Sequence, residues 1–135
     1  MKLPALKELL LYQNNQVVHY FCHHHSNFSL QQGQQLFTDL LGWMWLTIYR
    51  KTITRHTFLF GPLLDMDSMW HAFILHTRDY QHFCDTNFGD YFHHDIEPPG
   101  HEHGLSADEL ADFLKDCFEF LGEEWVERHF ALAFE

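Results

Sequence analysis

The sequence contains few basic side chains. Eight lysines and arginines stand against 19 aspartates and glutamates, which gives a formal net charge of −11 with the histidines neutral. Such an excess of negative charge repels the phosphate backbone of nucleic acids and the anionic surfaces of membranes. The composition therefore predicts no nucleic-acid partner and no membrane partner, and leaves an unknown protein or small molecule as the partner to be identified.

Cysteines and long apolar runs are also scarce. The three cysteines, Cys22, Cys84 and Cys117, are odd in number and show no paired spacing, which favours a reducing compartment over a disulfide framework. The leucine-rich first residues are interrupted by charged residues and carry no small-residue cleavage site, so they are not typical of a signal peptide. The most apolar stretch, residues 40–48, is too short to cross a bilayer. We therefore expect a cytoplasmic protein without a membrane span.

Aromatic and imidazole side chains are abundant instead. Aromatic residues make up 17% of the 135 residues, and a chain of this length with that composition can bury a core without disulfides. The length predicts a single domain over residues 1–135. Protonation of all 13 histidines would turn the net charge slightly positive, so the sign of the charge depends on pH near neutrality. This composition suggests metal or proton chemistry without naming a reaction.

Apolar residues recur at helical spacing along most of the chain. Ser29 is placed to cap one helix, and Ser106 with Glu109 forms a capping box ahead of another. Helices are predicted over residues 4–25 (one or two short helices), 30–50, 66–86, 106–121 and 123–133. The segment 87–104 is predicted to be irregular because it is rich in glycine and proline. The sequence therefore predicts an all-α fold of five or six helices.

Residues 62–94 carry the most informative pattern. On one continuous helix, Asp67, His71 and His82 would share a polar stripe, whereas Tyr80 and Cys84 would face the opposite, buried side. The Cys84 thiol could approach His71 only if the helix broke near residues 76–77. A straight helix therefore predicts that Cys84 packs in the core.

Asp67 and His71 are four residues apart, which brings their side chains together on a helix. Both could ligate one metal ion, or the carboxylate could hydrogen-bond the imidazole and fix its tautomer; an ordinary helical Asp–His pair is the third interpretation. His93 and His94 follow in a loop that can return to the helix and supply a further ligand. The candidate metal ligands are thus Asp67, His71, His93 and His94. Zinc or iron is the expected divalent metal, because carboxylate and imidazole suit either.

The same segment resembles the glycine-rich-domain-like proteins, a family found in bacteria and, within longer chains, in plants. The matching positions are the Asp67-x-x-Trp70-His71 core followed by Leu75, Thr77, Tyr80, Cys84, Gly89 and His93-His94. The chain departs from the family pattern at Phe73, where a histidine is common, and at His76, where an acidic residue is common. The resemblance implies an aromatic and aliphatic helix upstream of the motif, loosely matched by residues 40–49, and attaches no reaction to it.

Three functions remain compatible with these patterns. The first is a metal-binding helical domain that has, if it is catalytic, a hydrolytic or oxidative activity. The second is an interaction module without chemistry, in which Trp70, Tyr80, Cys84 and Phe88 form the core. The third is nucleophilic catalysis by Cys84 with a histidine base, which requires an exposed thiol in an electropositive environment.

Overall fold

A computed structural model describes residues 1–96 and 104–131 of the chain, and every regular element in these residues is helical. The α-helices are α1 (Leu6–Leu9), α2 (Asn15–His24), α3 (Leu30–Thr52), α4 (Leu64–Leu75), α5 (Thr77–Phe88), α6 (Ala107–Asp116) and α7 (Glu123–Phe130). A short 3-10 helix (Gly61–Leu63) precedes α4, and a π-helical turn (Cys117–Leu121) follows α6. The predicted all-α class is confirmed. The predicted loop at 97–103 and the predicted helical residues 132–133 lie outside the described residues.

The longest helix, α3, is the one around which the N-terminal half packs. Its start is fixed by a capping box: the Gln32 backbone N–H donates to the Ser29 hydroxyl, and the Ser29 N–H donates to the Gln32 side chain. Every residue from 40 to 46 is buried, because α1, α2 and α4 all contact this helix. Within the described ranges, no helix combines the length and the hydropathy needed to cross a membrane.

The predicted continuous helix over residues 66–86 is wrong, because the chain breaks at His76. The backbone of His76 adopts φ −83° and ψ 67°, which ends α4 and begins α5. In a continuous helix the His76 N–H would donate to the carbonyl of Ala72. Here the His76 ring Nδ1 lies 2.7 Å from the Ala72 oxygen, and the His76 N–H donates to the Phe73 oxygen instead. The break raises the number of α-helices in the described residues to seven, above the five or six predicted.

A buried carboxylate on α3 ties the last helix to the core. Asp39, with 3% of its surface exposed, accepts hydrogen bonds of 2.8 Å from Arg128 and from His129 on α7. The Trp125 indole N–H donates to the Asp39 backbone oxygen at 3.1 Å. Burial by itself raises the pKa of the Asp39 carboxyl, but the hydrogen bonds from His129 and Arg128 outweigh it and hold the pKa below its ordinary value. The position of α7 is therefore specified by paired polar groups as well as by packing.

Arg50, near the end of α3, ties α6 to the core in a similar way, through ion pairs. Its guanidinium, 2% exposed, donates to the carboxylates of Asp112 and Asp116 and to the backbone oxygen of His56. A buried charge of this kind is tolerated only when its donors are paired. α3 thus anchors both C-terminal helices in addition to its contacts with α1, α2 and α4.

Candidate metal centre

Three polar side chains meet where the loop after α5 returns to α4. Asp67 and His71 lie on α4, one turn apart, and His94 lies on the loop. His94 Nε2 is 2.7 Å from Asp67 Oδ1 and 3.0 Å from His71 Nε2, while His71 Nε2 is 3.5 Å from Asp67 Oδ2. One ligand atom from each residue falls within 4.8 Å of the other two, close enough for a single cation to contact all three.

The cluster is open to solvent on one side. The His71 side chain is 58% exposed, whereas the side chains of Asp67 and His94 are 24% and 20% exposed. The difference arises because His94 is covered by the indole of Trp70, whose ring lies parallel to the imidazole at a centroid distance of 4.0 Å. His71 therefore forms the accessible edge of the cluster, and His94 forms its fixed side.

A buried hydrogen-bond chain holds the loop that carries His94. The Trp70 indole N–H donates to the Tyr80 hydroxyl at 3.0 Å, and this hydroxyl donates to the backbone oxygen of Phe92. Tyr80 has no exposed surface, and burial raises the pKa of its hydroxyl well above the ordinary value, so it remains a donor. Phe92 is itself buried against Trp70. Trp70 and Tyr80 thus hold the loop that carries His94, although neither belongs to the cluster.

The Nε2 atom of His94 has two short contacts, one with the Asp67 carboxylate and one with His71 Nε2, and a proton on it cannot point straight at both. A proton on His94 Nε2 can serve the carboxylate of Asp67, but it then gives His71 Nε2 no hydrogen directed at it. A proton on His71 Nε2 can serve His94, but it leaves the lone pair of His94 Nε2 facing a carboxylate oxygen at 2.7 Å. His94 Nε2 thus faces two electron-rich groups at short distance, and a cation placed among the three groups attracts all of them.

The other predicted residues do not join this cluster in the part of the chain that the structure describes. The His93 side chain is exposed and its ring packs against Tyr91, at a centroid distance of 4.7 Å. His82 is exposed on α5. The structure therefore brings together three of the four candidate ligands and leaves the ring of the fourth, His93, outside the cluster.

Cys84 lies in the core, as a straight helix had predicted, even though the helix breaks. The thiol has no exposed surface, and burial raises its pKa, which disfavours the thiolate needed for nucleophilic attack. Tyr80 and Cys84 both face the core on α5, and Cys84 does not belong to the cluster of Asp67, His71 and His94. The geometry therefore speaks against the nucleophile hypothesis.

The UCP032817-like family matches residues 9–108, about three quarters of the chain and all of the cluster. This chain is a member of the UCP032817-like family. No curated protein and no solved structure matches it. The resemblance to the glycine-rich-domain-like proteins is therefore wrong, and nothing else indicates that family. Its matching positions have a local explanation in this UCP032817-like chain: Trp70, Tyr80 and Cys84 are buried residues that pack two short helices against a loop.

Sequence reasoning missed the hydrogen-bond chain that orients His94. Trp70 and Tyr80 were expected to be core residues, which they are, but their hydrogen bond and the contact of Tyr80 with Phe92 were not predicted. Buried tryptophan and tyrosine usually need a partner for their N–H and O–H groups. That rule could have indicated a pairing between them, although not the acceptor on the loop.

Proposed function

We propose that this chain binds one divalent transition-metal ion, zinc or ferrous iron, through Asp67, His71 and His94. The observation that carries the proposal is the convergence of one carboxylate and two imidazoles, with one ligand atom of each within 4.8 Å of the other two. Carboxylate oxygen and imidazole nitrogen are ligands that both metals accept.

The separations between the three ligand atoms also fit a metal site. Metal–ligand bonds of about 2.0–2.2 Å in a tetrahedron place neighbouring ligand atoms about 3.3 Å apart. The separations of 2.7 Å between His94 Nε2 and Asp67 Oδ1 and 3.0 Å between the two Nε2 atoms lie below that value. The separation of 3.5 Å between His71 Nε2 and the other carboxylate oxygen, Asp67 Oδ2, lies just above it. Binding would therefore require side-chain adjustments of less than about 1 Å and no change of fold.

Three protein ligands leave one coordination position for water or a substrate. This number of ligands is typical of catalytic zinc sites, whereas structural zinc sites have four. A metal ion bound here would lower the pKa of a coordinated water and could polarise a substrate oxygen. The exposed edge at His71 gives a small molecule access to that position. A hydrolytic activity with zinc, or an oxidative one with iron, follows as the reaction class to be tested.

An interaction module without chemistry is the alternative. It requires Trp70, Tyr80, Cys84 and Phe88 to be core residues, and all four are buried. The metal proposal requires the same burial, because Trp70 and Tyr80 position His94. The burial of these residues is therefore compatible with both functions. The metal content of the purified protein distinguishes between them.

The deciding experiment is elemental analysis of protein purified without a histidine tag. The wild-type chain should hold about one equivalent of zinc or iron, and His71→Ala and His94→Ala should each lower the affinity for it about 100-fold or more. His93→Ala is the matched control, since it removes the neighbouring imidazole, which lies outside the cluster. It should retain the metal.

Two results contradict the proposal. One is a wild-type protein that binds no zinc or iron when either is supplied. The other is equal metal content in the His93→Ala and His94→Ala proteins. In either case the interaction module becomes the preferred function.

A further inference from the structure

A cleft of about 220 Å³ opens beside the exposed edge of the candidate metal centre. Its walls come from α2 and α4. The side chains that matter for recognition are Tyr20, His24 and His25 on α2 and Ser68, His71 and Leu75 on α4. His71 belongs both to the cleft lining and to the candidate metal ligands, so the cleft adjoins the candidate metal centre at the His71 ring.

The polar side chains that line the cleft carry no negative charge. Three imidazoles and two hydroxyls line it, and no aspartate or glutamate is among its described lining residues. This absence is notable in a chain with a net charge of −11. A divalent ion bound by Asp67 and two neutral imidazoles would leave a net charge of about +1 beside the wall of the cleft that His71 forms. The electrostatic environment therefore favours an anionic ligand over a cationic one.

The rest of the cleft is apolar and small. The Leu75 side chain is 64% exposed and Tyr20 is 40% exposed, so both have free surface for a ligand to cover. The Tyr20 ring is held by an edge contact with His76 at 5.4 Å and a second contact with His24 at 4.6 Å. The volume is below the range of about 300–1,000 Å³ that is usual for drug-sized ligands, so the ligand has only a short apolar part.

We propose that this cleft binds small carboxylates with a short aliphatic group. The carboxylate oxygen takes the open position on the metal beside His71, and the aliphatic group lies against Leu75 and Tyr20. This inference rests on the proposed metal site and names the class of substrate or ligand that the site would accept.

The test uses the zinc-loaded full chain with butyrate as the probe and butyramide as its uncharged counterpart. Binding is followed by titration calorimetry and by chemical-shift changes at residues of α2 and α4. Butyrate should bind, and butyramide should bind at least about tenfold more weakly because it lacks the charge. Leu75→Asp should weaken butyrate binding by about tenfold or more, since it places a carboxylate on the wall.

Leu11→Asp is the matched control, because Leu11 is also an exposed leucine, at 76%, and does not line the cleft. It should leave butyrate binding unchanged. The inference is overturned if the zinc-loaded protein binds butyramide as well as butyrate, binds neither, or is affected equally by both leucine substitutions. Zinc content is measured on the same samples. A protein that takes up no zinc therefore overturns the proposed function as well, and is distinguished from one that takes up zinc and ignores butyrate.

Discussion

The Tyr80 hydroxyl connects the core to the candidate metal centre. It accepts from Trp70 and donates to the backbone of Phe92, two residues before His94. All three residues are buried, so none of these polar groups can turn to water if the hydroxyl is removed. The hydroxyl therefore affects both the stability of the fold and the position of one proposed ligand.

We predict that Tyr80→Phe lowers the free energy of unfolding by about 2 kcal/mol, because it leaves a buried donor and a buried acceptor unpaired. It should also weaken metal binding about tenfold or more, since partners that orient a ligand usually matter to that extent. Urea denaturation and a zinc titration measure the two effects. Tyr91→Phe is the control: its ring packs on Tyr80, but within the described residues its hydroxyl makes no hydrogen bond. Equal losses in both variants would contradict the prediction.

The choice between His93 and His94 shows what the sequence could not provide. Adjacent residues in an extended segment point to opposite sides, so a His-His pair can offer only one ring to a given site. Which ring turns inward is decided by the burial of Phe92 and by the stacking of Trp70 on His94. The proximity of Asp67 and His71 follows from their spacing of four residues on one helix, so the sequence predicts it. The contact of His94 with Asp67 depends on packing between residues far apart in the sequence, so the sequence alone does not determine it.

At the level of whole helices, the contact between α2 and α3 depends on a glycine. Gly33 lies in the first turns of α3, although glycine disfavours a helix by about 1 kcal/mol relative to alanine. In the structure a Cβ atom at this position would lie 2.5 Å from Cys22 Sγ and 3.3 Å from Val18 Cγ1. The glycine lets the two helices approach each other, which explains why a residue unfavourable for helix formation occupies the start of α3.

We predict that Gly33→Ala destabilises the protein by about 1–2 kcal/mol, because overpacking outweighs the gain in helix propensity. The same substitution made in a Cys22→Ala protein should be neutral or stabilising, since the sulfur it would meet is gone. The comparison of the four proteins by thermal or urea unfolding gives the coupling energy directly. Additive effects of the two substitutions would show that Cys22 is not the obstacle.

The break between α4 and α5 could not be derived from periodicity. Neither proline nor glycine occurs between residues 64 and 88, and the apolar pattern continues across the break. A side chain accompanies the interruption: the ring Nδ1 of His76 lies 2.7 Å from the Ala72 carbonyl oxygen, which the backbone N–H of His76 would bind in a continuous helix. By contrast, the helix caps depend on residues close in sequence: Ser29 caps α3, and Ser106 with Glu109 forms a capping box, both as the sequence predicts.

For the molecule as a whole, the histidines dominate the response to pH. Many of them are exposed in the described part of the chain: His19, His23, His24, His56, His71, His82 and His93. Histidine is the residue type whose charge changes between pH 5 and 8, so acidification from pH 7 adds positive charge to a chain with 13 histidines and a formal net charge of −11. The surface charge that keeps the protein dispersed therefore falls within a narrow range of pH.

We predict that the net charge approaches zero as the pH falls from 7 toward 5.5, and that solubility falls with it. Electrophoretic mobility measured across this range checks the charge, and turbidity checks the solubility. Saturation with zinc should reduce the change slightly, because a metal-bound imidazole does not take up a proton. A mobility that stays constant over the range would contradict the prediction.

The contact between Asp67 and His94 also joins two positions that are 27 residues apart, with α5 and the end of α4 between them. A cation held there would act as a reversible cross-link that closes this stretch of chain into a loop. Such a link reduces the freedom of the unfolded chain, and it can be removed by a chelator and restored by adding the ion. The backbone amide hydrogens of α5 would then exchange with solvent more slowly in the metal-loaded protein than in the metal-free protein. The ion would in that way stabilise a helix that contributes none of its ligands.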